Sequence, residues 1–230
     1  MVRLLLTTAA AAAAAACAFL VPTGSAAAQG CGSAGYSYAG LLGDETGYGV
    51  GATIEPLSLP SVQDGHVAAW VGVGGPGLGP GGTDEWLQVG ISADPVRGVA
   101  LYYELALPGR EPTYVMLKGH VKAYRTYNVA VREDPRRINS WRVWVNGVAV
   151  TPSIRLPQSH GSWSPIATTE SWDGGVGACN AFAFRFTNVV SVARPGGSWA
   201  LMSSRVIDAP GYSVSRRGPS DFDAGGGPLS

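Results

Sequence analysis

Apolar and polar positions alternate every second residue in short stretches along most of this chain. Beyond an N-terminal apolar run, no stretch has the three-to-four-residue spacing of an amphipathic helix. The alternation predicts strands over residues 66–73, 85–92, 99–106, 113–120, 124–132, 140–146, 148–154, 162–172, 180–190 and 198–206, with Gly, Pro and Asn/Asp turns between them. Trp141, Val143 and Val145 alternate with Arg142, Trp144 and Asn146, and Phe182, Phe184 and Phe186 alternate with Ala183, Arg185 and Thr187. Asn146–Gly147 suits a two-residue type I′ hairpin, which needs positive φ at both positions. Strands at this spacing imply an all-β protein, an antiparallel β-sandwich of the jelly-roll kind. The glycine- and proline-rich stretch 74–82 reads as a loop, with too much proline to cradle a phosphate. Segment 32–51 is also glycine-rich, with Tyr36, Tyr38 and Tyr48 as anchors to the sandwich. Residues 29–207 are expected to form the sandwich, and residues 208–230, poor in aliphatics, a flexible tail.

The N-terminus changes the picture. Arg3 precedes an almost unbroken apolar run from Leu4 to Leu20, and Ala26–Ala27–Ala28 supplies small residues at a cleavage spacing. Residues 1–28 therefore read as a signal peptide and the chain as secreted, with no second run long enough to span a membrane. Cys17 falls inside the leader. Ala14 stands three residues before it, where a lipid-anchor signal would have a branched aliphatic. Cys31 and Cys179 then remain, and in an oxidising compartment such a pair is expected to form a disulfide. The histidines at 66, 120 and 160 are scattered without zinc spacing, so no metal or other cofactor is expected.

Composition narrows the partners. The whole chain has 16 basic and 16 acidic residues, and removing the leader takes away only Arg3, leaving a net charge of −1. That excludes the broad basic footprint of a nucleic-acid binder, and the stretch 132–137 (REDPRR) reads as a solvated turn. The 33 glycines and 16 prolines favour turns over helices, while seven tryptophans and nine tyrosines supply a core. A monomer is expected.

A sandwich has no inherent active site, so chemistry must come from particular side chains. No G-x-S-x-G elbow is present. Polar groups inside strands stand out instead: Gln88 in EWLQVGIS, Glu104 in LYYELALP and Glu170 in TTESWDGG. Gln88 alternates with Trp86, and Glu104 with Tyr102. Taken singly, each fits a solvated sheet face or a strand-end carboxylate.

Taken in order, AAWVGVGG, EWLQVGIS, LYYELALP, TTESWDGG and FAFRFTNV resemble the glutamic peptidases, or eqolisins, over roughly residues 36–206. The resemblance implies a secreted, concanavalin-like β-sandwich acting in acid as an endopeptidase on a protein or peptide substrate. Gln88 falls on the family's catalytic glutamine and Glu170 on its catalytic glutamate. Trp70 and Glu104 fall on site-lining positions, with Trp86 and Trp172 nearby as substrate contacts. This sequence departs from the pattern at Gly74, where the family has aspartate, and at Val89, where it has threonine. Tyr102 replaces a tryptophan, and the second acid after the catalytic glutamate is Gly174, with Asp173 adjacent.

Two other functions fit the same residues. Glu104 and Glu170 could be the paired carboxylates of a jelly-roll glycosidase, with Trp70, Trp86, Tyr103, Trp144 and Trp172 available to stack on sugars. A non-catalytic, lectin-like binding module would suit the missing aspartate at position 74.

Overall fold

The computed structural model describes residues 35–172 and 179–227. Residues 1–28, expected to be a leader, and Cys31, Asp173 and Gly174 lie outside the described residues, and the expectations that rest on them lie there too.

The strands follow in chain order: β1 (Tyr36–Gly43), β2 (Gly49–Pro56), β3 (Ser61–Val62), β4 (His66–Gly75), β5 (Glu85–Asp94), β6 (Gly98–Ala106), β7 (Thr113–Gly119), β8 (Tyr127–Glu133), β9 (Ser140–Val145), β10 (Val148–Ala149), β11 (Ile154–Arg155), β12 (Ile166–Trp172), β13 (Asn180–Ser191), β14 (Ala200–Leu201), β15 (Ser204–Asp208), β16 (Tyr212–Arg216) and β17 (Phe222–Gly226). The first sheet runs β15-β1-β12-β4-β5-β6-β7. The second runs β10-β9-β8-β2-β13-β17-β16, with β11 on β9 and both β14 and β3 on β13. Neighbouring strands pair antiparallel in both sheets, β4 with β5 in the first and β13 with β17 in the second among them. Among the described residues, no helix is long and apolar enough to cross a membrane.

Period-two alternation becomes a two-sided division of labour. Val67, Ala69, Val71, Val73, Leu87, Val89 and Ile91 turn inward from the first sheet, and Ile54, Val131, Val143, Phe184 and Phe186 turn inward from the second. Burying each large apolar side chain contributes about 1.5–3 kcal/mol relative to leaving it exposed. The Phe186 and Phe222 rings stack 4.5 Å apart at 5°. Asn146 and Gly147 both have positive φ, as their hairpin requires.

The structure corrects several boundaries. The expected tail at 208–230 contains β16 and β17, and β17 pairs along β13 from Phe182↔Gly226 to Phe186↔Phe222. Its glycines look like a loop in the sequence, but they are needed for contact: a Cβ on Gly225 would lie 2.2 Å from the Phe182 carbonyl oxygen. The anchored segment 32–51 likewise holds β1 and the start of β2. A Cβ on Gly40 would lie 2.3 Å from the Ala167 oxygen. Residues 148–154 do not make one strand, because β10 stops before Pro152, which has no N–H to offer a ladder. Strand 198–206 is split at Met202, and β8 starts only at Tyr127, after the positive-φ turn at Tyr124. The 132–137 turn is solvated at Arg136 and Arg137 but not at Glu133, which is buried. Glu133 accepts from the Asn139 N–H and lies 2.8 Å from His160 Nδ1.

Candidate active site

Inward alternation on β4, β5, β6 and β12 leaves the intervening residues on the outer face of the first sheet. Trp70, Gln88, Glu104 and Glu170 all belong to that set. Register fixes their spacing. Glu170 stands opposite Ala68 on β4, while Gln88 on β5 stands opposite Gly72, with Trp70 midway between. Gln88 in turn faces Glu104 on β6, and Glu104 faces Tyr114 on β7. Two glycines let bulky neighbours settle: a Cβ on Gly90 would lie 2.0 Å from the Ala69 oxygen, and one on Gly72 would lie 3.1 Å from the Trp70 ring.

This outer face is not a wet sheet surface. Gln88 and Glu170 are each 6% exposed, and Trp70 forms a small second apolar cluster with Ala68 and Tyr102. The Trp70 indole N–H donates to Glu170 Oε2 at 2.9 Å, and His66 Nε2 stands 3.4 Å from Oε1. The Trp86 indole N–H donates to Glu104 Oε1 at 3.1 Å. Gln88 Nε2 donates to the Tyr102 hydroxyl at 2.9 Å. The Tyr102 ring stacks on Tyr114 at 5.1 Å, and Tyr114 shares a 2.9 Å hydrogen bond with Ser92.

The electrostatics follow from acids held by neutral donors. Burial raises the Glu104 carboxyl above its usual range, and the nearby Glu170 raises it further, against the lowering effects of Trp86 and His66. Burial and then Glu170 also push the Tyr38 and Tyr102 phenols well above their ordinary value, so both stay protonated donors. A cleft of about 360 Å³ opens over the face, with Glu104, Glu170, His66, Tyr102 and Tyr114 in its lining and the β5–β6 hairpin at Asp94–Arg97 as one wall.

The sequence-derived residues thus take different stations. Glu104 and Glu170 line the cleft. Trp70 and Trp86 hold these two acids, and Gln88 lies buried against Tyr102, which does reach the cleft. Trp172 packs on Tyr36 with ring centroids 4.5 Å apart, at the β12 end of the same face. His66 is a site residue that the sequence motifs do not single out. Its one signal is period two, since it sits four residues before Trp70 on the same strand. Tyr38 and Tyr114 have only their strand parity to mark them. Among the described residues, no group of three or more His, Cys, Asp or Glu side chains is placed to hold a metal. Cys179 is buried just before β13.

No family model and no curated protein matches the sequence. Solved structures do. Scytalido-glutamic peptidase with a transition-state analog inhibitor superposes with a TM-score of 0.55 at 15% identity, over 84% of this chain and 98% of that one. The same peptidase with a peptide-based transition-state analog gives 0.52 at 15% identity, with the same coverage of 84% and 98%. SCP-B of the eqolisin family, in complex with a tripeptide, gives 0.49 at 16%, again over 84% and 98%. At low identity, this chain shares the β-sandwich fold of the glutamic peptidases, as the motif resemblance implied.

Proposed function

We propose that the chain is a secreted, acid-acting glutamic endopeptidase in which Glu170 and Gln88 carry the reaction. The observation behind this reading is a carboxylate and an amide buried on one outer sheet face, each held by a directed hydrogen bond, in a sandwich of glutamic-peptidase fold. Glu170, oriented by Trp70, takes a proton from water as the water attacks the peptide carbonyl, then returns a proton to the leaving amine. Gln88 commits one amide hydrogen to Tyr102, which leaves its second hydrogen for the developing oxyanion. Glu104, whose carboxyl is raised above its ordinary value by burial and then by Glu170, stands opposite Gln88 as a second acid beside the reacting carbonyl. Export by the 1–28 leader and a Cys31–Cys179 disulfide belong to the same proposal. N-terminal sequencing of secreted material and thiol counting on the denatured protein would test them.

A second reading, a glycoside hydrolase using Glu104 and Glu170, is favoured by one fact: both acids line the cleft, and Gln88 does not. One experiment separates the two. Cleavage of a denatured protein and of a panel of polysaccharides is followed from acid to neutral pH for wild type, Glu170→Gln and Gln88→Ala. Proteolysis in acid, lost in both variants, supports the peptidase. Sugar release that survives Gln88→Ala would replace it with the glycosidase, and inactivity of folded wild type on protein would sink the peptidase reading.

A further inference from the structure

The chain's only two lysines, Lys118 and Lys122, fall within one short segment, KGHVKAYR at 118–125, together with His120 and Arg125 and without a single acid. This segment carries the chain from β7, at the edge of the first sheet, to β8 in the second. It is firmly placed. The buried Val121 donates its N–H to the Val99 carbonyl at 3.0 Å, and Tyr124 donates its N–H to the Pro56 carbonyl at 2.8 Å. His120 and Tyr124 both adopt positive φ, turning the chain twice.

A β-bulge sets the direction of Lys118. Tyr102 pairs with Met116 but Leu101 pairs with Lys118, so one extra residue of β7 sends Lys118 to the face opposite the cleft. There its ammonium group lies 5.7 Å from the centroid of the Tyr127 ring. The result is a cavity of about 410 Å³ lined by Lys118, Gly119, His120, Lys122, Arg125 and Tyr127. Its size falls in the range of about 300–1,000 Å³ usual for small-ligand sites.

Several arginines elsewhere are matched with acids. Arg97, Arg142, Arg185, Arg205 and Arg217 each stand within 2.9–3.8 Å of a carboxylate oxygen. At this corner two lysines, an arginine and a histidine share one concavity whose lining includes no acid. The side chains of Lys118, His120, Lys122 and Arg125 are exposed, and like charges gathered around one concavity repel one another and attract whatever anion enters it. Two ammonium groups suit a compact, multiply charged oxyanion, and the guanidinium adds a planar fork.

We propose that the β7–β8 corner is an anion-binding site for a sulfate or phosphate group, independent of the cleft on the opposite face. The test is calorimetric titration of the whole protein with sodium sulfate, sodium phosphate, dextran sulfate and neutral dextran, at ionic strength matched with chloride. Saturable binding of at least one anionic probe is expected, with neutral dextran silent. The double substitution Lys118→Gln/Lys122→Gln, and to a lesser degree Lys122→Gln alone, is expected to weaken it by about tenfold. The control Arg136→Gln/Arg137→Gln removes the same charge from an exposed turn elsewhere and is expected to leave binding intact. Preference for inorganic phosphate or for the sulfated polymer would assign the group the site takes. Absence of saturable binding to every anionic probe, or equal weakening in the lysine and arginine variants, would overturn the proposal. Loss of proteolysis in the cleft variants would leave this result untouched, because Lys122 and Arg125 touch none of those groups.

Discussion

The outer faces of the two sheets house their acids in opposite ways. On the second sheet Asp223 lies between Arg185, at 2.9 Å, and Arg217, at 3.0 Å, with Glu55 at 3.8 Å from the same Arg185. On the first sheet Glu104 and Glu170 have no arginine or lysine partner among the described residues; they accept from the indoles of Trp86 and Trp70. A guanidinium cancels a carboxylate's charge, whereas an indole only orients it. The first arrangement ties neighbouring strands together, Arg185 on β13 reaching Asp223 on β17 and Glu55 on β2. The second leaves acids near enough to each other, and dry enough, for a proton to matter. Glu85 lies beyond both extremes. It is fully buried at the start of β5, its carboxyl oxygens have no hydrogen-bond partner among the described residues, and burial pushes it from 4.5 up to about 7.

The largest effect should come from the indole-held face. Glu170→Gln keeps shape and removes the charge, and should cut acid proteolysis by about 10²–10⁴-fold with far-UV circular dichroism unchanged. An unchanged rate would erase the distinction between the faces.

Glu85→Gln tests the unpartnered extreme through stability. A carboxyl with a raised folded-state pKa binds more protons folded than unfolded between 4.5 and about 7, so its contribution falls as pH rises through that window. Urea midpoints of wild type should therefore decline across that interval by more than those of Glu85→Gln, a difference of about 1–3 kcal/mol. Equal slopes would show that the carboxyl finds a partner on ionising.

Tyr102→Phe sharpens the account of Gln88. Losing the hydroxyl that accepts from the amide frees Gln88 to rotate, at a cost of about 1 kcal/mol. The expected signature is kcat lowered by about fivefold with KM nearly constant, since the group acts on the transition state and not on substrate binding. A rise in KM alone would mean that Tyr102 serves the substrate directly.

The smallest effect belongs to the second sheet. Asp223→Asn should change stability by less than about 1 kcal/mol, because its partners are partly exposed and screened by water, and should leave proteolysis unaltered.

What could be seen in the sequence depended on which signal each element carried. β9 and β13 announce themselves through alternating aromatics, and the β9–β10 turn through Asn146–Gly147. β1 and β17 do not, because Gly40, Gly225 and Gly226 look like turn residues and are instead close-contact residues, an interpretation that needs the neighbouring backbone. In the candidate site, strand parity puts Gln88 with Trp86 and Glu104 with Tyr102, and it is the motif resemblance that joins Gln88, Glu104, Glu170 and Trp70 in one site. Parity alone could not show that Trp86 serves Glu104 and Tyr102 serves Gln88, since both pairs lie across strands whose register is set by the whole sheet.

The pairing of chain ends has a consequence for how the molecule comes into being. Tyr36 meets Trp172, Ala39 meets Asp208, and Val50 meets Ser191, so the earliest strands wait for the latest ones. Topologies of such high contact order fold over milliseconds to seconds, not microseconds. A growing chain that has not yet reached Ser191 offers β2 no complete β13 to lie beside, and until Phe222 arrives Phe186 lacks the ring it stacks on. Closure of the core is therefore a late, nearly all-or-none event. Any holding factor that met the chain during synthesis would find β1 still without either of its partners, β12 and β15.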